Sequence, residues 1–216
     1  MATTDLLVER FSGGRWRSNC YLVTLGRQAL VIDPGQAASE VAPLIESRGL
    51  EVVAVLCTHG HFDHVEGAHL IREVNPAPLY IHAADDQLMR SASLYRKLFD
   101  GTEPVPHVPA DAHYEAEDGE LVLGPFSVTI THIPGHTEGG VFVNIGDDLF
   151  TGDTLLPPKL GRTDLPGGDA AVLERSLPRI VRFAPELRVH PGHGQPTTMA
   201  RAVADTPQLQ ALAESV

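Results

Sequence analysis

The sequence has little cysteine: among its 216 residues only Cys20 and Cys57 carry a thiol. A structural zinc site is usually a closed tetrahedral set rich in cysteine, so a site of that kind is not expected. Cys57 ends one apolar run, Cys20 begins another, and no secretory signal is visible. We therefore expect both thiols to be reduced and buried rather than joined in a disulfide.

Positive charge is also scarce. Lysine and arginine number 16 against 28 acidic residues, which gives a formal net charge of −12, and no basic stretch stands out. This disfavours nucleic acid and anionic membranes as partners, because both are bound through clustered basic side chains. No apolar run approaches the length of a bilayer span, and the start, MATTDLLVER, does not resemble a signal peptide. We expect a soluble cytoplasmic protein, monomeric or a small homo-oligomer, that acts on a small molecule.

No linker rich in proline, glycine or serine divides the chain, so we expect one domain over residues 1–216. Apolar patterning predicts strands at 6–11, 19–25, 28–32, 52–57, 79–81, 121–123, 126–133, 141–145, 149–151 and 187–189. It predicts helices at 39–48, 67–75, 84–99, 170–182 and 199–212, the last broken at Pro207. The apolar face of helix 84–99 is predicted to consist of Leu88, Leu94, Tyr95 and Leu98. The link at Gly26-Arg27 has hairpin length, and the whole predicts a layered α/β protein.

The most informative segment is THGHFDH at residues 58–64, directly after the apolar run 52–57. His59 and His61 are two residues apart and project to the same side in extended backbone, and Asp63 and His64 follow through a turn. Imidazole and carboxylate donors together suit zinc, iron or manganese. With so little cysteine, an open catalytic metal site is the better interpretation.

Three more predicted strands are followed by a glycine and then a metal-type ligand. The pairs are Gly135-His136, Gly152-Asp153 and Gly192-His193. Sites in layered α/β proteins form at the carboxyl ends of strands, and glycine there lets the backbone approach a ligand. The full set of candidate ligands is His59, His61, Asp63, His64, His136, Asp153 and His193. Seven donors suit two metal ions, with Asp153 as a candidate bridging carboxylate.

With these motifs the chain resembles the metallo-β-lactamase superfamily, whose HxHxDH motif is matched by residues 59–64. The resemblance runs from Asp33-Pro34-Gly35 to Pro191-Gly192-His193-Gly194, nearly the whole chain. It implies an α/β fold, the four-layer αβ/βα sandwich, and two divalent metal ions, zinc first, with iron or manganese as alternatives. It places one ion on His59, His61 and His136, the other on Asp63, His64 and His193, and Asp153 between them.

The segment GRTD at 161–164 is similar to that of the glyoxalase II-like (hydroxyacylglutathione hydrolase) and persulfide dioxygenase branches. Secreted metallo-β-lactamases typically carry cysteine where Asp153 stands, which moves the expected substrate away from lactams. Full-length glyoxalase II also has a C-terminal helical domain that helps to hold glutathione, whereas one broken helix is predicted here after His193. The chain thus resembles the shorter, single-domain members. The implied activity is hydrolysis of a small thioester or ester, with a lactonase or a mononuclear iron persulfide dioxygenase, its iron on His59, His136 and Asp153, as alternatives.

The expected mechanism follows from two adjacent divalent ions, which lower the pKa of water from ~15.7 towards ~7 and supply a bridging hydroxide. Asp63 is the candidate catalytic residue that orients this nucleophile and takes its proton. A thiol, with a pKa of ~8.5, leaves as thiolate without a strong general acid, whereas a lactam nitrogen usually needs protonation. A thioester is therefore favoured over a lactam.

Several residues near the motifs allow two interpretations. Arg162 and Asp164 form either a solvated ion pair that anchors the loop or parts of the site, in which Arg162 binds a substrate carboxylate and Asp164 holds a metal ligand in place. Asp33 is expected to make a tight turn at a strand end. The alternative is that its carboxylate supports the side chain of a metal ligand. Tyr95 is assigned to core packing and Lys159 to a solvated charge, with lining of a substrate cleft as the alternative for both.

Overall fold

Strands and helices alternate through the two ranges that the computed structural model describes, residues 6–114 and 118–215. The strands are β1 (Leu7–Gly13), β2 (Ser18–Leu25), β3 (Gln28–Ile32), β4 (Glu51–Leu56), β5 (Leu79–His82), β6 (Ala112–Tyr114), β7 (Gly119–Leu123), β8 (Phe126–His132), β9 (Val141–Ile145), β10 (Asp148–Gly152), β11 (Leu155–Leu156), β12 (Lys159–Leu160), β13 (Arg188–Pro191) and β14 (Thr197–Thr198). The helices are α1 (Ala38–Arg48), α2 (Phe62–Val65), α3 (Ala68–Val74), α4 (Asp86–Arg90), α5 (Ala92–Asp100), α6 (Ala170–Ile180), α7 (Met199–Asp205) and α8 (Pro207–Ala213).

The strands form two six-stranded sheets. One runs β1 to β6 in chain order and the other runs β14-β13-β10-β9-β8-β7. The first three strands pair antiparallel, as the hairpin-length link predicted, whereas β3 to β6 are parallel. In the other sheet β7 to β10 are antiparallel and β10 pairs parallel with β13. Each parallel pairing puts the carboxyl ends of adjacent strands side by side, which is where the candidate ligands follow.

Strand β2 shows how alternation builds the layers. Tyr21 and Val23 pack between the two sheets, whereas Cys20 and Leu22 pack under the helices on the outer face. Helices α6, α7 and α8 cover the other sheet with Leu173, Leu177, Ile180, Met199, Ala202 and Leu209. The layer order is helix, sheet, sheet, helix, so the predicted four-layer αβ/βα sandwich is confirmed. Both cysteines are free and buried, as expected.

The long helix predicted over 84–99 is wrong in two respects. It is divided into a 3-10 turn at Ala83–Asp85, α4 and α5, with a break at Ser91, whose hydroxyl donates to the Gln87 carbonyl at 2.9 Å. A serine that bonds to the preceding turn competes with the helical ladder. The expected apolar side is also not packed throughout, since Leu94 and Leu98 are 58% and 68% exposed.

Short elements account for the remaining differences from the prediction. The strands β6, β11, β12 and β14 and the helix α2 have two to four residues each, too few to establish a period. The break at Pro207 is confirmed, because α7 ends at Asp205 and the proline opens α8, where its missing N–H costs nothing. Within the described ranges, no helix combines the length and apolar character needed to cross a membrane.

Candidate metal centre

Loops at the ends of β4, β8, β10 and β13 bring the seven candidate ligands together. Glycines make the approach possible. A Cβ on Gly192 would lie 2.1 Å from Oδ1 of Asp153, and one on Gly152, whose φ is +49°, would lie 2.4 Å from the Thr58 hydroxyl. Both distances are far below van der Waals contact, so the glycines before two of the ligands are there for space, as the sequence pattern indicated.

His59, His61 and His136 form the first group of donors, here called the histidine cluster. One ring nitrogen of each lies within 4.8 Å of the others. Nδ1 of His61 lies 3.0 Å from Nε2 of His136, while their far nitrogens contact the carbonyls of Pro166 at 3.0 Å and Arg162 at 2.7 Å. Because a carbonyl only accepts, those far nitrogens carry the protons, and the two nitrogens that face each other present lone pairs. Lone pairs at 3.0 Å repel unless a cation lies between them.

Asp63, His64 and His193 form the second group, here called the acidic cluster. Nε2 of His64 and Nε2 of His193 are 3.2 Å apart, and both lie near Oδ2 of Asp63, at 3.5 and 3.4 Å. The group is held on β2, because the Ser18 hydroxyl donates to the Asp63 carbonyl at 2.7 Å. The loop that carries His193 is also held on β2, because the Asn19 backbone N–H donates to the Gly192 carbonyl at 2.7 Å.

Asp153 lies between the two clusters. Its carboxylate oxygens are 3.4 Å from His64 Nε2, 3.3 Å from His193 Nε2 and 3.9 Å from His136 Nε2. Oδ1 of Asp153 and Nε2 of His59 are buried and have no hydrogen-bond partner within the described ranges. Buried polar atoms rarely stay without a hydrogen-bond partner. Here both atoms point lone pairs towards the other candidate metal ligands. On this fold, such a set of imidazoles and carboxylates fits divalent metal ions.

Asp33 contacts both clusters from behind. Its backbone has a φ of +50°, so it does form the tight turn expected of it. Its carboxylate accepts from the Thr58 N–H and hydroxyl, both at 2.7 Å, and lies 3.3 Å from Nδ1 of His64. The Thr58 oxygen in turn lies 3.0 Å from Nδ1 of His59. Asp33 therefore orients His64 directly and His59 through Thr58, which leaves Nε2 of each ring to face the centre.

Asp85 is a buried residue of the site that the sequence did not single out. Its carboxylate accepts from the Gly60 N–H at 2.8 Å, the Thr137 hydroxyl at 2.7 Å and the Gly139 N–H at 2.7 Å. Gly60 lies between His59 and His61 on one loop, and Thr137 and Gly139 follow His136 on another. Asp85 thus joins the two loops of the histidine cluster.

The two clusters differ in their affinity for protons. Burial, together with neighbouring imidazoles, holds the pKa of His59 well below its ordinary value and lowers that of His61 to about 4. Burial also acts to lower the pKa of His64 and His193, but adjacent carboxylates outweigh it and raise these pKa values to about 9 and about 10. Burial acts to raise the pKa of Asp153, yet the imidazole of His64 and the hydrogen bond from His193 hold it well below its ordinary range. At neutral pH a cation entering the acidic cluster must displace protons.

A cavity of about 580 Å³ opens above the two clusters. His61, Asp63, His136, Asp153 and His193 contribute to its lining. Tyr95 and Lys159 also line it. Tyr95 is half-buried and packs against the core under the first sheet as well, so it combines both roles that the sequence allowed.

Arg162 and Asp164 form a two-bond ion pair at 2.9 and 2.8 Å, and both side chains are more than 60% exposed. The cavity is lined in part by Arg162, but its contact with a candidate ligand is made by the backbone carbonyl, which accepts from His136. Asp164 supports Arg162 and not a candidate ligand. The solvated ion pair that the sequence allowed is thus what the side chains form.

Comparison with known proteins agrees with this geometry. The family model of the metallo-β-lactamase superfamily matches residues 13–193. A Bacillus subtilis protein named probable metallo-hydrolase YqgX is 35% identical over 192 residues, covering 87% of this chain and 90% of that protein. Among solved structures, the BLEG-1 B3 metallo-β-lactamase has a TM-score of 0.87 at 29% identity, covering 94% of this chain and 99% of its own. TTHA1623, in a di-iron-bound form, has a TM-score of 0.81 at 33% identity, with 92% and 98% covered.

Proposed function

Since this chain belongs to the metallo-β-lactamase superfamily, we propose that it is a metal-dependent hydrolase that cleaves a small thioester or related ester with two divalent ions. The observation that carries this proposal is the pair of donor clusters, joined through Asp153, at the base of a cavity of about 580 Å³. Relatives named as probable metallo-hydrolases in Bacillus subtilis and Methanocaldococcus jannaschii support the reaction class.

The histidine cluster would hold one ion and the acidic cluster the other, with Asp153 shared. Bound there, two divalent ions would lower the pKa of water and polarise a substrate carbonyl. The di-iron form of TTHA1623 supports a site for two ions and makes iron a candidate metal alongside zinc. All seven ligands of the proposed set are present, and each histidine of the histidine cluster has its far nitrogen engaged by the protein.

Asp63 is the proposed catalytic base. Its carboxylate lines the cavity, and although burial acts to raise its pKa, His64 and His193 lower it. The group is therefore ionised at neutral pH and accepts a proton rather than donating one. A base without a matched acid suits substrates whose leaving group departs as an anion. Thiols, with a pKa of about 8.5, are such groups.

Lactam hydrolysis is a second candidate, because BLEG-1 is described as a B3 metallo-β-lactamase and its structure matches 94% of this chain. An amide nitrogen leaves poorly without protonation, and Asp63 as a carboxylate does not supply a proton at the start of the reaction. A thioester or ester therefore remains the first candidate, and a lactone is cleaved by the same attack on an ester carbonyl.

The test uses purified enzyme loaded separately with zinc and iron. It compares thiol release from S-lactoylglutathione and simple thioesters, hydrolysis of a chromogenic cephalosporin, and oxygen uptake with glutathione persulfide. The proposal expects thiol release that is independent of oxygen and requires about two ions per chain. Oxygen consumption by an enzyme with one iron per chain would instead assign it to persulfide oxidation.

A further inference from the structure

The cavity above the metal centre has an aromatic wall formed by Trp16, Phe62 and Phe99. The Phe62 and Phe99 rings stack at 6.2 Å between centroids, and Trp16 meets Phe62 edge to face at 6.2 Å. Trp16 is fixed by a 2.6 Å hydrogen bond from its indole N–H to Asp100. The wall is thus preformed, yet Trp16 and Phe99 remain 41% and 43% exposed. Exposed aromatic rings that line a cavity can be buried by a bound apolar ligand.

The same cavity also has an aliphatic wall. It consists of Leu156 and Leu160 from the β11–β12 hairpin and Leu165 from the following loop. Asp63 and Asp153 of the two clusters line this cavity as well. A carbonyl placed at the metal centre would therefore have an apolar slot for the group attached to it.

Charge complementarity for a glutathione conjugate is weak. Glutathione carries two carboxylates and an ammonium group, and the cationic lining residues outside the two clusters of candidate ligands are Lys159 and Arg162. Arg162 is already paired with Asp164 through two hydrogen bonds. Within residues 6–114 and 118–215, Lys159 is the cationic lining side chain without an ion pair. The lining matches at most one anionic group.

We propose that the slot between the aromatic and aliphatic walls binds an apolar acyl chain, so that the preferred substrate is a medium-chain acyl thioester or ester rather than a glutathione conjugate of a short hydroxy acid. This inference rests on the proposed function and names its substrate class. Each methylene that leaves water for such a slot contributes about a threefold to fourfold gain in binding. Over four to six carbons that preference becomes large.

The experiment measures kcat/KM of the metal-loaded enzyme for N-acetylcysteamine thioesters from acetyl to decanoyl, with S-lactoylglutathione alongside. We expect kcat/KM to rise about threefold per methylene up to the octanoyl ester. Phe99→Ala, and separately Leu165→Ala from the other wall, should lower the octanoyl-to-acetyl ratio about tenfold. Phe183→Ala is the matched control, because this half-buried ring packs on Phe142 of β9 in the core between the second sheet and its helices and is absent from the lining of the cavity.

A second readout does not depend on turnover. Trp16 is the single tryptophan of the chain, so its fluorescence reports on the slot alone. Decanoate should change this fluorescence saturably and far more tightly than acetate, and Phe99→Ala should weaken the decanoate response. If thioesters are hydrolysed without dependence on chain length, or S-lactoylglutathione is the best substrate, the acyl slot is overturned while the hydrolase stands. If no ester is cleaved, the hydrolase fails, and equal responses to decanoate and acetate would overturn the slot as well.

Discussion

The histidine cluster and the acidic cluster share Asp153 but differ in charge. In the first, burial and the neighbouring imidazoles keep His59 and His61 neutral at pH 7, so each ring has one nitrogen with a lone pair ready for a cation. In the second, carboxylates raise the pKa of His64 and His193 to about 9 and about 10, so protons already occupy the positions that an ion would take. We therefore predict that an ion on the histidine cluster would bind with little dependence on pH and that an ion on the acidic cluster would compete with protons.

The largest effect should follow removal of the residue that the clusters share. Asp153→Ala deletes the carboxylate that lies within 3.9 Å of His64, His136 and His193. We expect kcat/KM to fall at least about a thousandfold, because both ions lose a ligand. Activity and metal content, the latter by mass spectrometry, are measured together. Asp147→Ala, an exposed aspartate in the turn at the opposite end of β10, is the control. Near-normal activity in Asp153→Ala would refute a shared ligand.

The pH dependence of metal binding should separate the clusters. The metal-free pKa values of His64 and His193 are raised, so both hold protons at pH 7 and lose them only as pH passes about 9 to about 10. Affinity for the ion in the acidic cluster should therefore rise about tenfold per pH unit for each displaced proton between pH 6 and 8. The histidine cluster, with the pKa of His61 at about 4, should show no such rise. Calorimetric titration in buffers of different ionisation enthalpy measures the protons released, and binding of the second ion without proton release between pH 6 and 8 would contradict the comparison.

Asp85 offers a way to weaken the histidine cluster alone. Replacing it by alanine leaves the Gly60 N–H, the Thr137 hydroxyl and the Gly139 N–H without their acceptor. Unpaired buried donors cost about 1 to 3 kcal/mol each, so the free energy of unfolding should drop by several kcal/mol. Affinity for the first ion should fall about tenfold or more, since its ligands lose their support. Denaturant unfolding and metal titration check both, with Asp85→Asn, which keeps one acceptor oxygen, as the milder variant.

The smallest effect should come from Arg162→Ala. The side chain is exposed and bonded to Asp164, and His136 is oriented by the backbone carbonyl that the substitution retains. We expect the melting temperature to be unchanged within error and kcat/KM for thioesters to stay within about twofold, as for other exposed ion pairs. A loss of activity through a higher KM for substrates with a carboxylate would show instead that Arg162 binds the substrate anion.

The sequence predicted which candidate ligands lie together better than it predicted the residues around them, for a physical reason. His136, Asp153 and His193 each follow an apolar strand and a glycine, so one local pattern marks the three positions. Asp85 gives no such signal, because its three partners lie 25 and more residues away and it stands in what reads as a helix. The placement of Tyr95 likewise gives no such signal, because the same side chain packs against the core and lines the cavity.

The most direct measurement is the metal-to-chain ratio of the wild-type enzyme and His193→Ala, taken at pH 7.5 together with thioester hydrolysis. Two complete clusters predict about two ions in the wild type and about one in the variant, whose remaining ion stays on the histidine cluster. Hydrolysis should fall with the lost ion. One ion in both proteins, with equal rates of thiol release, would contradict the account of a two-metal hydrolase.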